Sequence, residues 1–392
     1  MSLHLGFSLL TLFPDRVGGT ETYVRSLLKE FVRGNGPERV TVLVNRHVEQ
    51  AYRGEDGGPV SIHHVRSYRA GDSNATRALA ITTAWALPRR VARDVPPGLD
   101  VIHFPVTVPI PRPRVPAVVT VHEIMHHVLP HTLSRAEREY RRIAYDGSMR
   151  AAAVVVVNNH HLKASLVERV RLAPERIEVI YPGVNQDRFG AEPGDDDARL
   201  AGLDLPERFV VYPANIWPHK NHERLIDALA QVPDRELTLV MTGQTYGRLP
   251  ELLGRARKLG IERRVRHLGF VPQELVPPLY RRARAMVFPS LYENIPSPPL
   301  EAMACGCPVA CSVRGSMGEA FGDAVAPIEP EDVEGIAATL DRVCTDEELR
   351  EQLRAAGLTL VKRFRWETAA ERHGAVYDRA AAWIGSDPGR RQ

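Results

Sequence analysis

The feature that most constrains the fold of this chain is a regular alternation of two kinds of segment. Short runs of β-branched residues are followed by stretches whose apolar residues recur at helical spacing, as in AAAVVVVN (151–158) and HHLKASLVERV (160–170). Strands that alternate with helices in this way indicate βαβ units and parallel sheets. The other strand-like runs include LHLGFSLL (3–10), VTVLVN (40–45), VIHFP (101–105), AVVTVH (117–122), RFVVYPA (208–214), ELTLVMTG (236–243), RAMVFPS (284–290) and PVACS (308–312).

The alternation divides the chain into two halves. A chain of 392 residues is longer than one hydrophobic core normally supports. The alternation is interrupted at 186–206, an acidic segment with Pro and Gly, which we interpret as a linker. The sequence therefore predicts an α/β protein with two doubly wound, Rossmann-like domains, at 1–185 and 207–365. The apolar helical pattern in 366–392 either closes one half or bridges both, and we expect it to cross back to the N-terminal domain.

Charge and hydropathy exclude several classes of protein. The net charge of +3 is too small to indicate a nucleic acid partner. The N-terminus lacks the basic region of a signal peptide, and no apolar run reaches membrane-spanning length. We therefore expect a cytoplasmic protein.

Two glutamates eight positions apart, Glu293 and Glu301, mark the most informative stretch, SLYENIPSPPLEAMACG (290–306). The preceding run at 284–290 reads as a strand, and the next six residues read as the loop after it. Ser297 followed by Pro298 is typical of an N-cap and a first-turn proline, so a helix is predicted there. This strand–loop–helix connection is where open α/β sheets bind ligands.

The residue types in this loop indicate a nucleotide-sugar. Amides at a helix start carry partial positive charge and suit a phosphate. Carboxylates accept hydrogen bonds from paired hydroxyls, which a ribose or a sugar offers. The alternative is a helix-capping acid beside a solvated loop acid.

Two further connections fit the same ligand. Lys220 lies between a predicted strand and helix in VVYPANIWPHKNHE (210–223), where its ammonium suits a diphosphate, although an exposed solvated lysine is the alternative. Gly18 and Gly19 follow the first strand and allow close backbone approach to a ligand, although a plain tight turn explains them equally well.

Two metal motifs compete with this interpretation. His122-Glu123-x-x-His126 is the HExxH zinc-protease signature, but that chemistry needs both histidines on one helix. Here 116–121 reads as a buried strand, so we disfavour a zinc metalloprotease. Asp195–Asp197 resembles a DxD motif, but its acidic surroundings favour a solvated charge run. Without a metal site, Lys220, helix dipoles and amides must neutralise the diphosphate.

Over nearly its whole length the chain resembles the retaining GT-B glycosyltransferases of family four (glycosyl transferases group 1). The strongest match is the E-x7-E stretch, where Glu293 and Glu301 correspond to the family's paired acids. Other matching stretches are VIYPGVNQDRF (179–189), LGFVP (268–272), GEAFGDAVAPIEPEDVEGIAATL (318–340) and FRWETAA (364–370). The resemblance implies two Rossmann-like domains that face each other across a cleft. The N-terminal domain would serve the acceptor, and the C-terminal domain would make most contacts with the donor.

The resemblance also implies roles for individual residues. Glu293 would hold hydroxyls of the donor sugar and Glu301 the ribose, and His122 would face the reacting sugar. The alternative for His122 is a structural role, in which its side chain only packs or forms hydrogen bonds. The catalytic candidates are His122 and Glu293. The donor-binding candidates are Gly18, Gly19, Asn215, Lys220, Gly243, Phe270, Val271, Asn294, Ile295, Pro296, Ser297, Leu300 and Glu301.

Two departures from the family pattern affect the expected donor site. Asn215 stands where the family usually has the arginine of Arg-x4-Lys, so one cation is lost. Pro296 replaces a glycine of Glu-Gly-Phe-Gly and removes one amide donor.

We therefore expect a retaining, metal-independent transferase without a cofactor. It would move mannose or another hexose from a nucleoside-diphosphate-sugar to a glycan, a lipid-linked acceptor or a small molecule. A catalytically degraded homologue that only binds the donor, or an epimerase or hydrolase on the same fold, remain alternatives. An arginine-rich segment, 66–94, contains Trp85. We expect it to form a helix over the first sheet with its polar side outward. A peripheral contact at the inner membrane face, where a lipid-linked acceptor would be met, is the alternative that the sequence leaves open.

Overall fold

The computed structural model describes residues 3–13, 19–70 and 73–383. These residues form two compact units. The first comprises the described residues up to Gly183 together with those from Trp366 onward, and the second runs from Val184 to Arg365. The first unit is therefore built from two separate stretches of the chain.

The first unit contains, within the described residues, a seven-stranded sheet in which all neighbouring strands are parallel, in the order β3-β2-β1-β4-β5-β6-β7. Its strands are β1 (His4–Ser8), β2 (Arg39–Val44), β3 (Val60–His64), β4 (Val101–Phe104), β5 (Ala117–Val121), β6 (Val154–Val157) and β7 (Ile177–Val179). Strands such as β6, with the sequence VVVV, are buried throughout, as expected for parallel strands covered on both faces.

The second unit contains, in the described part of the chain, a six-stranded parallel sheet in the order β10-β9-β8-β11-β12-β13. Its strands are β8 (Phe209–Pro213), β9 (Thr238–Thr242), β10 (Val265–His267), β11 (Ala285–Phe288), β12 (Val309–Ser312) and β13 (Ala326–Ile328). The two parallel sheets predicted from the alternation are confirmed.

Helices connect the strands in both units. They are α1 (Gly19–Val32), α2 (Arg46–Ala51), α3 (Asn74–Ala86), α4 (Pro88–Ala92), α5 (Met125–Val128), α6 (Arg135–Ala151), α7 (His160–Ser165), α8 (Asp196–Leu200), α9 (His222–Gln231), α10 (Leu249–Lys258), α11 (Val276–Arg282), α12 (Ser297–Ala304), α13 (Ser316–Phe321), α14 (Val333–Thr345), α15 (Glu347–Leu360) and α16 (Trp366–Ala382). Among the described residues, no helix is both long enough and apolar enough to span a membrane.

Helix α16 completes the core of the first unit. Its residues Ala369, Val376 and Tyr377 are buried in the same hydrophobic cluster as Leu27 and Phe31 of α1. Where the chain leaves and re-enters this unit, Gly183 leaves no room for a Cβ against the backbone of Trp366. The last helix thus packs as an integral element of the N-terminal Rossmann-like unit.

In each sheet the strand order reverses at one point, between β1 and β4 in the first and between β8 and β11 in the second. Loops that leave the carboxyl ends of two such strands diverge and open a crevice, the usual ligand position in open α/β sheets. The loops after β8 and β11 contain Lys220 and Glu293, the two residues singled out in the second half of the sequence.

Two local interpretations need correction. The segment 186–206, predicted to be a linker, lies within the second unit, where Asp196 of α8 accepts two hydrogen bonds of 2.7 and 2.6 Å from Arg281 of α11. A solvated charge run is therefore wrong for Asp196. Helix α3 packs against the hydrophobic core of the first unit through Ala80 and Ala84, as predicted. The prediction of a polar outer side is wrong in part, because Leu79 and Trp85 are exposed.

Candidate active site

An ion pair at the strand-order reversal of the second sheet forms the centre of the candidate site. The ammonium of Lys220 donates to Oε1 of Glu293, and the two side chains are only 15% and 13% exposed. The Lys220 ammonium also lies 5.2 Å from the centre of the Phe288 ring. Because both side chains are largely shielded from water, their mutual attraction is stronger than that of an ion pair on an exposed surface.

Hydrogen bonds to backbone carbonyls hold together the two loops that contain Lys220 and Glu293. The amide of Leu291 donates to the carbonyl of His219 at 2.8 Å, and the hydroxyl of Tyr212 donates to the carbonyl of Lys220 at 2.5 Å. From the other side, the buried hydroxyl of Ser316 donates to the carbonyl of Glu293 at 2.6 Å. The backbones of both charged residues are therefore fixed, which preorganises their side chains.

The start of α12 differs from the sequence prediction. The helix begins at Ser297 itself and its flanking residue is Pro296, so the prediction of Ser297 as the N-cap is wrong by one position, and no side chain caps the helix. Pro298 and Pro299 lack amide hydrogens, so only Ser297 and Leu300 of the first four helical residues carry an N–H. The start of α12 therefore offers fewer amide donors than the loss at Pro296 alone suggested.

The loop before α12 contains a strained residue. Ile295 has a φ of 38°, although β-branched residues seldom adopt positive φ, and it is buried. Asn294, beside it, donates from its side-chain amide to the hydroxyl of Tyr292 at 3.1 Å. Such strain persists only where the surroundings hold it, and it clusters at ligand sites.

Glu301 projects from the second turn of α12 into a different environment. Its nearest described donor is the hydroxyl of Tyr280, 3.4 Å from Oε2. Desolvation raises the pKa of Glu301 to about 7, and the Tyr280 hydrogen bond and the charge of Arg188 offset this only in part. The carboxyl group is thus about half protonated at neutral pH and has no cation bound directly to it among its described hydrogen-bond partners.

The other donor-site candidates lie on the same edge of the sheet, after β8, β9 and β10. Oδ1 of Asn215 accepts from the amide of Gln244 at 2.8 Å, so this residue links two loops. Gly243 has a φ of 116°, a Cβ there would lie 3.0 Å from the Ala214 carbonyl, and its amide donates to the Gly269 carbonyl at 3.0 Å. Phe270 is 73% exposed while Val271 is buried.

In the first unit, His122 follows β5. Its Nε2 lies 2.8 Å from the carbonyl of Pro105, an atom that only accepts, so Nε2 carries the proton. Desolvation lowers the pKa of His122 to about 4, and the imidazole is neutral at pH 7. Gly19 is the first residue of α1, and Gly18 lies outside the described residues.

Two hydrogen-bonded residues of the first unit, Tyr23 and His373, lie next to His122, and Tyr23 packs directly against its ring. The edge of the Tyr23 ring system meets His122 at a centroid distance of 5.0 Å, and the Tyr23 hydroxyl lies 2.7 Å from Nε2 of His373 in α16. Nδ1 of His373 lies 2.6 Å from the carbonyl of Ala369 and must donate to it. Nε2 of His373 therefore accepts from Tyr23. Sequence inspection missed Tyr23 and His373 because they are 350 positions apart.

The HExxH stretch does not form a helical metal site. His122 follows strand β5, and the carboxylate of Glu123 accepts hydrogen bonds from Arg141 and from the amide of Met125. His126 lies in the separate four-residue helix α5. The sequence argument against a zinc protease is therefore supported by the backbone.

Both halves of the chain match known protein families. The model of the family described as "Glycosyltransferase Family 4" matches residues 17–188, and the model described as "Glycosyl transferases group 1" matches residues 196–359. The two matches are adjacent and fall on the two halves that each contain one parallel sheet.

Individual relatives agree with these models. The chain is 29% identical over 287 residues to an O-antigen chain mannosyltransferase B of Escherichia coli, covering 71% of this chain and 74% of that protein. It is 29% identical over 259 residues to a D-inositol 3-phosphate glycosyltransferase of Corynebacterium diphtheriae, covering 62% of this chain but only 60% of that relative's length. The crystal structure of Anabaena HepE with UDP and glucose is similar in fold, with a TM-score of 0.73, 20% identity, and coverage of 96% and 99% of the two chains.

Proposed function

Because the chain belongs to the group 1 glycosyltransferases of family 4 and has their GT-B fold, we propose that it transfers a hexose from a nucleoside-diphosphate-sugar with retention of configuration. The observation that carries this proposal is the Lys220–Glu293 ion pair in the loops at the strand-order reversal of the second sheet. Mannose is the first sugar to test, since the O-antigen relative is a mannosyltransferase.

The proposed donor site divides among three side chains. Glu301 accepts hydrogen bonds from the ribose hydroxyls, Glu293 from hydroxyls of the sugar, and Lys220 binds the diphosphate between them. Two features support this order. Lys220 already contacts Glu293, and Glu301 lies eight positions further on, in the helix that follows the Glu293 loop. His122 stays a prediction from the family resemblance as the first-domain residue that faces the sugar.

In the proposed reaction the bond between the anomeric carbon and the diphosphate oxygen breaks, and the acceptor hydroxyl forms the new bond on the same face. The acceptor proton passes to the departing diphosphate, whose oxygen is on that face. Lys220 and the amides of Ser297 and Leu300 stabilise the negative charge that develops on the leaving group. Glu293 orients the ring and stabilises its oxocarbenium character. We propose that this chemistry needs no divalent cation.

We further propose that the acceptor is lipid-linked and reached at an anionic membrane surface. Exposed apolar side chains lie on α3 and α6 and on the residue that joins α3 to α4, and the Trp85 and Tyr140 rings stack at 6.3 Å. Exposed arginines in α4 and just after it follow these apolar residues in the chain. Apolar and basic side chains together suit a surface of anionic lipid. These apolar residues are Leu79, Trp85, Leu87, Tyr140 and Ile143.

The decisive experiment is a panel of UDP-, GDP- and dTDP-hexoses, scored first for binding and then for transfer and for hydrolysis. Binding with transfer to a lipid-linked acceptor supports the proposal. Binding without turnover identifies a degraded binding subunit, and turnover without acceptor identifies a hydrolase or epimerase. Transfer should persist in EDTA; its loss in EDTA and recovery with Mg²⁺ or Mn²⁺ contradicts the metal-free mechanism. Anionic vesicles should retain the protein, and Trp85→Ser should release it.

A further inference from the structure

Three side chains with no part in the proposed reaction converge in the first domain. Nε2 of His126 lies 3.0 Å from Oδ1 of Asp146, and Nε2 of His127 lies 3.1 and 3.0 Å from Oδ1 and Oδ2 of the same carboxylate. Both histidines lie on α5 and the aspartate on α6. Among the described residues, this is the one group of three His, Cys, Asp or Glu side chains whose ligand atoms all lie within 4.8 Å of one another.

Hydrogen bonding within the protein does not fully satisfy this cluster. Asp146 and His126 are buried, and Nδ1 of His126 has no hydrogen-bond partner among the described residues. Buried polar atoms are usually paired, and an unpaired one calls for an explanation such as an ion or water. Arg150 lies 3.9 Å from Asp146 and is the one cation paired with that carboxylate beyond the two imidazoles in the described structure.

We propose that His126, His127 and Asp146 bind one divalent late first-row transition-metal ion, with Zn²⁺ as the best match. Two imidazole nitrogens and a carboxylate are ligands that Zn²⁺ accepts, and three protein ligands leave a fourth position for water. Tetrahedral ligands about 2.0–2.1 Å from zinc are about 3.3 Å apart. The imidazole-to-carboxylate spacings of 3.0–3.1 Å therefore need only a small widening, and all three ligand atoms already lie within 4.8 Å of one another.

Binding is balanced in charge and protons. In the metal-bound state each imidazole offers its Nε2 lone pair to the ion and carries its ring proton on Nδ1. The cation replaces the two hydrogen-bond protons that now face Asp146, and it is attracted by that carboxylate. His127 is partly exposed and provides the route of entry.

The hydrogen-bond partners of the two imidazoles set the metal affinity that we expect. Metal-bound histidines usually donate their other ring nitrogen to an acceptor, and loss of that partner weakens metal binding about 10–100-fold. Since Nδ1 of His126 has no described partner, we expect weaker binding than at a fully supported site. The ion would tie α5, which follows His122, to α6. It takes no part in the donor chemistry and uses neither His122 nor Glu123.

The test uses the full chain, freed of metal with a chelator and titrated with Zn²⁺, and separately with Co²⁺ for its visible absorption. We expect one equivalent to bind, a tetrahedral Co²⁺ spectrum, and a higher midpoint of thermal unfolding. His127→Gln and Asp146→Asn should each weaken Zn²⁺ binding at least about tenfold. His127 is the preferred variant because it is the more exposed of the two histidines.

A second adjacent histidine pair provides the matched control. His160 and His161 also lie side by side, at the start of α7, but both are exposed. His160→Gln/His161→Gln should leave Zn²⁺ binding unchanged. Absence of binding, or an equal loss in this control, overturns the proposal. Nucleoside diphosphate affinity of each variant, measured in parallel, verifies folding and keeps this result separate from a failure of the proposed transferase function.

Discussion

Glu293 and Glu301 belong to one motif, yet the structure places them in opposite electrostatic surroundings. Glu293 is paired with the ammonium of Lys220. The hydrogen-bond partner of the Glu301 carboxyl group among the described residues is the hydroxyl of Tyr280 at 3.4 Å, and burial raises the pKa of Glu301 to about 7. In the proposed site, the Glu293 side chain faces a centre that becomes positive during reaction. A carboxyl group poised between two protonation states suits hydroxyl recognition. The difference is consistent with the proposed roles, in which the first acid acts in the chemistry and the second in binding.

The largest expected effect comes from Glu293→Gln. Removing the charge should lower kcat about 10²-fold, typical of a lost transition-state contact. Affinity for the bare nucleoside diphosphate should stay equal or rise, because Lys220 no longer shares its charge with a carboxylate. Single-turnover transfer and nucleotide titration measure the two effects. Glu334→Gln, an exposed acid on α14, is the control and should change neither.

Lys220→Ala should come next, with nucleoside diphosphate affinity about tenfold lower or more. A charge-assisted contact contributes about 1.5–3 kcal/mol, and the variant also leaves Glu293 unpaired near the phosphates. Lys258→Ala, an exposed lysine at the end of α10, is the matched control. Addition of Glu293→Gln should recover part of the loss, because the two residues are in contact. Unchanged affinity in folded Lys220→Ala would show that the lysine serves only its ion pair.

Glu301→Gln should have a smaller effect, mostly on binding. Its hydrogen bonds to the ribose form in the ground state and the transition state alike, so the donor KM should rise about five- to tenfold with little change in kcat. Nucleoside diphosphate affinity should fall by the same factor. If Glu293→Gln loses nucleotide affinity while Glu301→Gln keeps it, the two acids hold the opposite ends of the donor.

The smallest effect is in the pH dependence of nucleotide binding. The ionised form of Glu301 accepts from both ribose hydroxyls, so below pH 7 the site must release a proton on binding. Affinity should therefore rise up to about tenfold between pH 6 and 8 and then level off. The Glu301→Gln variant lacks this contribution to the pH dependence. Its profile therefore gives the part that comes from titration of the nucleotide itself. A wild-type profile that matches the variant would place the Glu301 pKa outside this range.

The same shift affects stability in the opposite direction. Because the folded-state pKa of Glu301 lies above its ordinary value of 4.5, the unfolded chain releases this proton first as pH rises. The contribution of Glu301 to the free energy of unfolding is thus complete below pH 4.5 and is lost between pH 4.5 and about 7.

The sequence predicted the parallel sheets, the helix that carries Glu301 and the crevice loop that carries Lys220, because local periodicity and turn residues determine these features. It did not predict the Lys220–Glu293 ion pair, since the partners are 73 positions apart and meet only because β8 and β11 are neighbours. Nor did it predict the burial of Glu301 beside Tyr280, which raises the pKa of the Glu301 carboxyl group. Pairing across a sheet depends on strand order, which periodicity does not encode.

The return of the last helix to the first unit has a consequence for the order in which the protein matures on the ribosome. The segment from Val184 to Arg365 is an insertion within the first domain, and its ends meet where the amide of Val184 donates to the carbonyl of Phe364 at 3.0 Å. During synthesis this second domain is complete before α16 emerges. Until then, part of the apolar face of α1 that contains Leu27 and Phe31 lacks its cover. The domain made first is therefore the last to finish folding, and its nascent form is the one that depends most on protection from aggregation.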